Sequence, residues 1–181
     1  METLVAGLKK NVIREIDEDP TDKEVGWTSF EKPYQPDFEG ASLSIGTHWV
    51  FSLRIDKKKI PLKVVQKMCA QETAKKLTES GREFLSRNEK KILRENVINT
   101  LSLRIPATPS IYDLIWSYED ACVFFFSNLK EANEELETLF AKSFKLTLIR
   151  LFPFTIADLN AGLANADRDI LSNLTPTRFN E

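Results

Sequence analysis

The sequence predicts an α+β protein, in which an antiparallel or mixed sheet packs against helices and a basic pair of helices lies between strands. An alternating run at residues 43–55 is typical of a strand. Two segments with helical spacing follow it within residues 61–104, and a pair of strands comes next. Because strands and helices do not alternate regularly, a doubly wound α/β sheet does not fit.

The composition is typical of a soluble globular protein that needs no disulfides. The chain has 181 residues, of which 42% are hydrophobic and 29% are charged, as in soluble globular proteins. A chain of this length can bury a core without disulfides. Two cysteines, Cys69 and Cys122, are too few for a disulfide framework, so we expect buried free thiols. We predict one α+β domain over residues 1–155 and a C-terminal helix and tail over residues 156–181.

The N-terminus and the apolar runs predict a cytoplasmic protein. The first residues carry charges on both sides of a short apolar patch, unlike a signal peptide. Apolar runs such as residues 121–126 are shorter than the roughly 20 residues that cross a bilayer. We therefore expect a reducing compartment and no membrane partner.

The first 55 residues predict one helix and two strands. Apolar residues recur four apart within Thr3–Arg14, which indicates a helix. An acidic, turn-rich stretch separates it from a short strand at Val25–Phe30. Residues 31–40 contain prolines and a glycine and indicate a loop. Leu43–Ile55 alternates as expected for a half-buried strand.

Residues 61–104 predict two helices that carry most of the basic residues of this region. Pro61 suits a first helical turn, because its missing N–H would be unpaired there anyway. Gly81 can end the first helix in the left-handed conformation. Ser86 and Glu89 match a capping box at the start of the second helix, and Pro106 stops it. The apolar stripes are Leu62, Val65, Cys69, Thr73 and Leu77, then Leu93, Val97 and Leu101, widened by Ile92 and Ile98.

The C-terminal third predicts a hairpin, a helix, a strand and a last helix. The hairpin joins residues 111–118 to residues 121–127. Asn128 and Glu131 match a second capping box, and residues 145–152 indicate a strand. Thr155 is placed to cap the last helix, and residues 171–181 are expected to be poorly ordered at their end. The stripe of the helix after the hairpin is Leu129, Ala132, Leu136, Leu139 and Phe140.

Charge is distributed unevenly along the chain. Residues 54–104 hold 14 basic and 6 acidic side chains, a net charge of +8. The other residues hold 11 basic and 21 acidic side chains, a net charge of −10, and the total is −2. A basic middle on an acidic body indicates an anionic partner. A solvated helical pair with many lysines explains the same count, so charge alone leaves both interpretations open.

The sequence contains no recognisable catalytic or cofactor motif. The glycine-rich phosphate loops and the nucleophile elbow of common enzymes are absent from it. The single histidine, His48, lies inside a strand, where a structural role is more common than a catalytic one. Two acidic clusters are the only candidates for a Mg²⁺ site of a nuclease, and they resemble a turn and a solvated helix face. The clusters are Asp17, Glu18, Asp19 and Asp22, and Glu131, Glu134, Glu135 and Glu137. We predict no catalytic residues, no metal and no cofactor.

The stretch RIDKKKIP places three consecutive lysines at the corner between a strand and a helix. Lysines there can reach phosphates as mobile point charges, and such contacts set affinity without reading bases. Phe84 is the only aromatic residue from 54 to 104, which favours duplex DNA over stacking on single strands. The alternative is that these lysines only keep a tight turn soluble. The predicted DNA-binding residues are Lys57, Lys58, Lys59, Lys75, Lys76, Arg82, Arg87, Lys90, Lys91 and Arg94.

Several motifs, taken in order, resemble the recombination-associated RdgC family, which is also labelled an exonuclease family. The motifs are VGWTSF, THWVFSLRIDKKKIP, ESGREFLSRNEKKILREN, DLIW, NLKEANEELETLF and LIRLFP, within roughly residues 25–155. The resemblance implies a nucleoid-associated, non-enzymatic protein that binds DNA with little sequence preference. It also implies a ring-shaped dimer around duplex DNA that restrains the recombinase RecA.

The chain departs from better-known members in two ways. They are longer, with further C-terminal segments, and they usually begin with a strand before the first helix. A missing strand would leave one sheet edge open to another chain.

Three functions are therefore compatible with the sequence. The leading one is a sequence-nonspecific, non-catalytic DNA-binding protein of recombination or the nucleoid, which acts as a homo-oligomer. The alternatives are a Mg²⁺-dependent exonuclease and a protein-interaction module whose basic helical pair binds an acidic partner.

Overall fold

A computed structural model describes residues 2–36, 38, 43–160 and 162–175. These residues form six helices and an antiparallel sheet of five strands, which confirms the predicted α+β class. The chain divides into two compact units, Met1–Leu146 and Thr147–Glu181. The domain boundary predicted at residue 155 stays a prediction.

The first unit contains four of the described helices and all five described strands. Its helices are α1 (Glu2–Lys10), α2 (Leu62–Ser80), α3 (Arg87–Ser102) and α4 (Lys130–Phe144). Its strands are β1 (Lys23–Thr28), β2 (Ser44–Ile45), β3 (His48–Lys57), β4 (Thr108–Ser117) and β5 (Cys122–Phe125). The second unit contains α5 (Pro153–Asn160) and α6 (Asn165–Asn173).

Four of the strands are ordered β1-β3-β4-β5, the short β2 also pairs with β3, and every strand pair is antiparallel. The long strand β3 pairs along its whole length with β4, from His48 opposite Ser117 to Lys57 opposite Thr108. The chain between β3 and β4 forms α2 and α3, so the basic helical pair connects two neighbouring strands. We call α2, α3 and their connecting turn, residues 62–102, the helical hairpin. The rest of the first unit, which contains the strands, α1 and α4, is called the sheet body.

Aromatic side chains form the centre of the sheet body. Trp27 of β1 packs edge-on to Phe51 of β3, with ring centroids 5.1 Å apart. Trp116 of β4 lies 4.9 Å from Phe140 of α4, and Phe144 adds a ring 4.8 Å from Phe140. Such pairs contribute about 0.5–1.5 kcal/mol each beyond the area they bury. This cluster therefore fixes α4 on one face of the sheet.

The first helix ends four residues before its predicted end, because the following residues pair with β1. The N–H of Ile13 donates to the Trp27 carbonyl at 3.0 Å, and the Trp27 N–H donates to the Asn11 carbonyl at 2.9 Å. Gly26 permits this approach, since a Cβ there would lie 2.4 Å from the Ile13 backbone. Residues 11–13 thus pair with part of the outer edge of β1.

Three other local predictions were wrong. The strand expected from Leu43 is split into β2 and β3, because Gly46 takes a φ of 62° and reverses the chain. The capping box of Asn128 and Glu131 does not form, since α4 has no side-chain cap at its start. Residues 145–152 are not a strand; Lys145 ends α4 with a φ of 60°.

The C-terminal helices also differ from the prediction. Thr155 lies within the first turn of α5 instead of preceding it, and its Oγ1 accepts the Phe152 N–H at 2.8 Å. Helix α6 was not predicted. Part of the predicted loop at residues 31–40 and the last six residues of the tail lie outside the described residues.

Candidate nucleic-acid interface

The helical hairpin has a small core of its own. Val65 of α2 packs in one cluster with Leu93, Val97 and Leu101 of α3 and with Leu85 of the connecting turn. Val65 is the only buried residue that α2 contributes, although the helix is 19 residues long. Most of the surface of α2 is therefore exposed.

The turn of the hairpin has the predicted geometry. Gly81 ends α2 with a φ of 64°. The capping box is confirmed, since Ser86 Oγ accepts the Glu89 N–H at 3.2 Å and the Ser86 N–H donates to Glu89 Oε2 at 2.8 Å. The Ser86 N–H lowers the pKa of the Glu89 carboxyl, and Arg82 adds to this effect. The turn therefore sets the relative position of the two helices.

The seven predicted basic residues of the hairpin are all exposed. Two of them have carboxylate partners, Arg82 at 3.0 Å from Glu89 and Lys91 at 3.9 Å from Glu95. Exposed pairs of this kind contribute little to stability, so a phosphate can displace them. For the other five, no carboxylate in the described part of the chain lies within ion-pair distance. They are Lys75, Lys76, Arg87, Lys90 and Arg94.

Two further exposed lysines belong to the helical hairpin and were not predicted. Lys63 and Lys67 lie four residues apart in the first two turns of α2 and are exposed. Their spacing was visible in the sequence, since residues four apart share a helix face. With them, the helical hairpin holds nine basic and five acidic residues, a net charge of +4.

The three corner lysines have three different environments. Lys57 is partly exposed and pairs with Glu131 of α4, which Lys23 also contacts, at 2.9 Å. Lys57 first and Lys23 second lower the pKa of Glu131 to about 2. Lys59 is exposed, and no ion pair joins it to the residues described. Lys57 thus links the sheet to α4.

Lys58 is buried and serves as an internal hydrogen-bond donor. Its Nζ donates to the carbonyls of Asp17 at 3.0 Å, Asp19 at 2.7 Å and Ser102 at 2.6 Å. The Ala107 N–H also donates to Asp17 Oδ1, at 2.7 Å. These bonds join the acidic turn and the end of α3 to the corner, and they leave no ammonium hydrogen for a phosphate.

Arg54 belongs to the sheet body as well, although it counts toward the basic block of the sequence. It is buried, and its Nε donates to Asp56 Oδ1 at 2.8 Å, while Nη2 donates to Asp56 Oδ2 at 2.6 Å. Nη2 also donates to Glu15 Oε2 at 3.1 Å, and Nη1 lies 3.0 Å from Glu15 Oε1 as an ion pair. Arg54 therefore holds residues near Glu15 against the sheet.

The acidic clusters take part in contacts of the sheet body. Glu135 accepts from Lys23 at 2.6 Å, and Glu131 bridges Lys23 and Lys57. Throughout residues 2–36, 38, 43–160 and 162–175, no group of three His, Cys, Asp or Glu side chains is placed to hold a metal ion. His48 is half-buried at the start of β3, with Nδ1 3.3 Å from Thr47 Oγ1.

Cys69 and Cys122 are free thiols, as predicted, but they are half-buried instead of buried. None of the described helices is long and apolar enough to cross a membrane.

Together these features define an α+β protein whose basic, exposed helical hairpin connects two central strands of an antiparallel sheet. The family model described as "Putative exonuclease, RdgC" matches residues 1–155, and the chain belongs to the RdgC family. No curated protein matches the chain. Membership of this family points to a recombination-related protein of the nucleoid.

Proposed function

We propose that the chain binds duplex DNA through the helical hairpin, without sequence preference and without cleaving it. The observation that carries this proposal is the distribution of basic side chains. On the hairpin they are exposed and mostly lack carboxylate partners, whereas Arg54, Lys57 and Lys58 of the sheet body are bonded to carboxylates or carbonyls of the chain itself. Exposed lysines and arginines bind phosphates and release counterions, which makes affinity strong at low salt.

The chemistry of the hairpin favours duplex over single-stranded DNA. Single-strand binding relies on successive bases that stack on aromatic side chains. Phe84, which is 75% exposed, is the only aromatic residue from 62 to 102 and offers one such position. Contacts to phosphates alone account for affinity without sequence readout.

The biological consequence that we propose is occupation of DNA in the nucleoid. DNA covered by this protein is not available to a recombinase such as RecA. The second unit exposes Leu151, Phe152, Phe154 and Ile156, and these apolar side chains support a homo-oligomer.

Fluorescence anisotropy of a labelled 30-base-pair duplex at several salt concentrations tests this proposal. Log affinity should fall linearly with log salt, by about 0.9 for each phosphate neutralised. Replacing Lys75, Arg87 and Lys91 with alanine should flatten this slope by about 3 units. The matched control replaces Lys32, Lys130 and Lys142, which are exposed outside the hairpin, and should leave the slope unchanged. Equal slopes in the two variants would contradict the proposal.

The same duplex, labelled at its ends, tests the proposed absence of catalysis. Incubation with Mg²⁺ and excess protein should leave it intact. Metal-dependent shortening that is lost in Glu131→Gln or Asp17→Asn would establish the exonuclease instead. Binding and cleavage are thus measured separately.

A further inference from the structure

An apolar groove runs between the two helices of the helical hairpin and is open to solvent; Val65 and Leu93 of the cluster that joins the helices form part of its lining. Its volume is about 520 Å³. Helix α2 contributes Leu62, Cys69, Thr73 and Leu77, and Leu93 of α3 forms part of the other wall. Groove surface is mostly apolar, although it faces solvent. An apolar groove that is open to solvent is typical of a site that binds a partner helix.

The shape of the groove matches a helix. Leu62 and Leu77 are separated by 15 residues of one α-helix, which corresponds to about 22 Å or four turns. Between them, Ala70 and Ala74 also line the groove, and their small side chains allow another backbone to approach. A helix laid in such a groove presents apolar residues at positions i, i+3, i+4 and i+7.

The basic side chains around the groove favour an acidic ligand. Lys90 and Arg94 of α3 line it beside Leu93. The helical hairpin as a whole carries a net charge of +4, so a second copy of the same surface would bring a like charge. Like charges facing each other disfavour association, and complementary charges favour it. An occupant with acidic residues beside its apolar face therefore fits best.

We infer that the groove binds an acidic amphipathic helix of a partner protein. Because Lys90 and Arg94 also belong to the proposed DNA-binding surface, the bound helix covers part of that surface and competes with duplex DNA. The competition rests on the proposed function, whereas binding of the helix does not. The partner helix thus acts as a regulator of DNA binding.

The probe is a fluorescein-labelled synthetic helix of 18 residues, with leucines at i, i+3, i+4 and i+7 and glutamates beside them. A second peptide has the same composition but scrambled leucine positions, and a third has lysine in place of glutamate. The full chain should bind the first peptide at least about tenfold more tightly than the other two. Equal binding of the first and scrambled peptides, or of the acidic and basic peptides, overturns the inference.

Two variants of the chain locate the binding surface. Ala70→Glu with Ala74→Glu places two carboxylates in the groove on exposed positions, and affinity for the acidic peptide should fall about tenfold or more. Gln71→Glu with Thr78→Glu adds the same charge at exposed positions of α2 that do not line the groove, and affinity should change less than about twofold. Equal losses in both variants overturn the assignment of the groove.

Sedimentation and DNA competition separate the remaining outcomes. If the groove variant dissociates an oligomer that the control variant retains, a second copy occupies the groove and the inference is wrong.

The acidic peptide should displace labelled duplex from the wild-type chain. Displacement should fail with the scrambled peptide. If the peptide binds but the chain has no affinity for DNA, the proposed function fails while the groove assignment stands.

Discussion

The basic side chains of Arg54, Lys57 and Lys58 in the sheet body and those of the helical hairpin have opposite surroundings. In the sheet body, Arg54 and Lys58 are buried and bonded to carboxylates or carbonyls, and Lys57 pairs with Glu131. In the hairpin, Lys75 and Lys90 are exposed and have no ion pair with a described carboxylate. The comparison shows that a lysine-rich stretch does not by itself indicate a binding surface. Burial and partners decide whether an ammonium group stabilises the fold or remains available to a ligand.

Replacement of Lys58, the buried lysine of the corner, should give the largest change in stability. Lys58→Met removes the donor to three carbonyls, and each unsatisfied buried group costs about 1–3 kcal/mol. Since two of the carbonyls belong to exposed residues that water can reach, we expect a total loss of about 2–3 kcal/mol in the free energy of unfolding. Urea denaturation measures this loss.

The neighbouring lysine provides the control for this prediction. Lys59→Met removes the same charge from an exposed position, and the free energy of unfolding should change by less than about 0.5 kcal/mol. If both variants were equally stable, the buried lysine would not support the fold. The different surroundings of Lys58 and Lys59 would then have no effect on the free energy of unfolding.

The ion pairs between the sheet and α4 give a smaller, pH-dependent effect. Lys57 and Lys23 lower the pKa of Glu131 from 4.5 to about 2. A carboxyl whose pKa is lowered by folding stabilises the folded state above its unfolded pKa, and this contribution disappears as pH falls through the folded pKa. The melting temperature of the wild-type chain should therefore exceed that of Glu131→Gln at pH 6. This difference should shrink between pH 4.5 and about pH 2.

Differential scanning calorimetry measures the melting temperatures of the wild-type chain and of Glu131→Gln over this pH range. Because Glu131 lies on the surface, salt screens its pairs and the difference should also decrease in high salt. A constant difference at all pH values would mean that the carboxyl charge is not the cause.

Local patterns predicted much of the fold, since they depend on nearby residues. The capping box of Ser86 and Glu89 and the helix end at Gly81 form as the sequence indicates, because both require only local backbone geometry. The same pattern at Asn128 and Glu131 failed, because Glu131 bonds to lysines of β1 and β3 instead. Tertiary contacts that local spacing does not encode decided that case.

The candidate site was predictable to a similar degree. Periodicity indicated which basic residues face outward from α3, and the structure exposes Arg87, Lys90 and Arg94 accordingly. It could not indicate that Lys58 bonds to carbonyls about forty residues away in sequence, at Asp17 and Ser102. A run of three consecutive lysines contains no information on such long-range partners.

The most direct test of the difference between the two regions is lysine acetylation, measured by mass spectrometry with and without duplex DNA. We predict that DNA protects Lys63, Lys75 and Lys90 of the hairpin, while the reactivity of Lys23 and Lys57 stays unchanged. Protection of Lys23 and Lys57 with unchanged hairpin lysines would contradict the account and place the DNA on the sheet body.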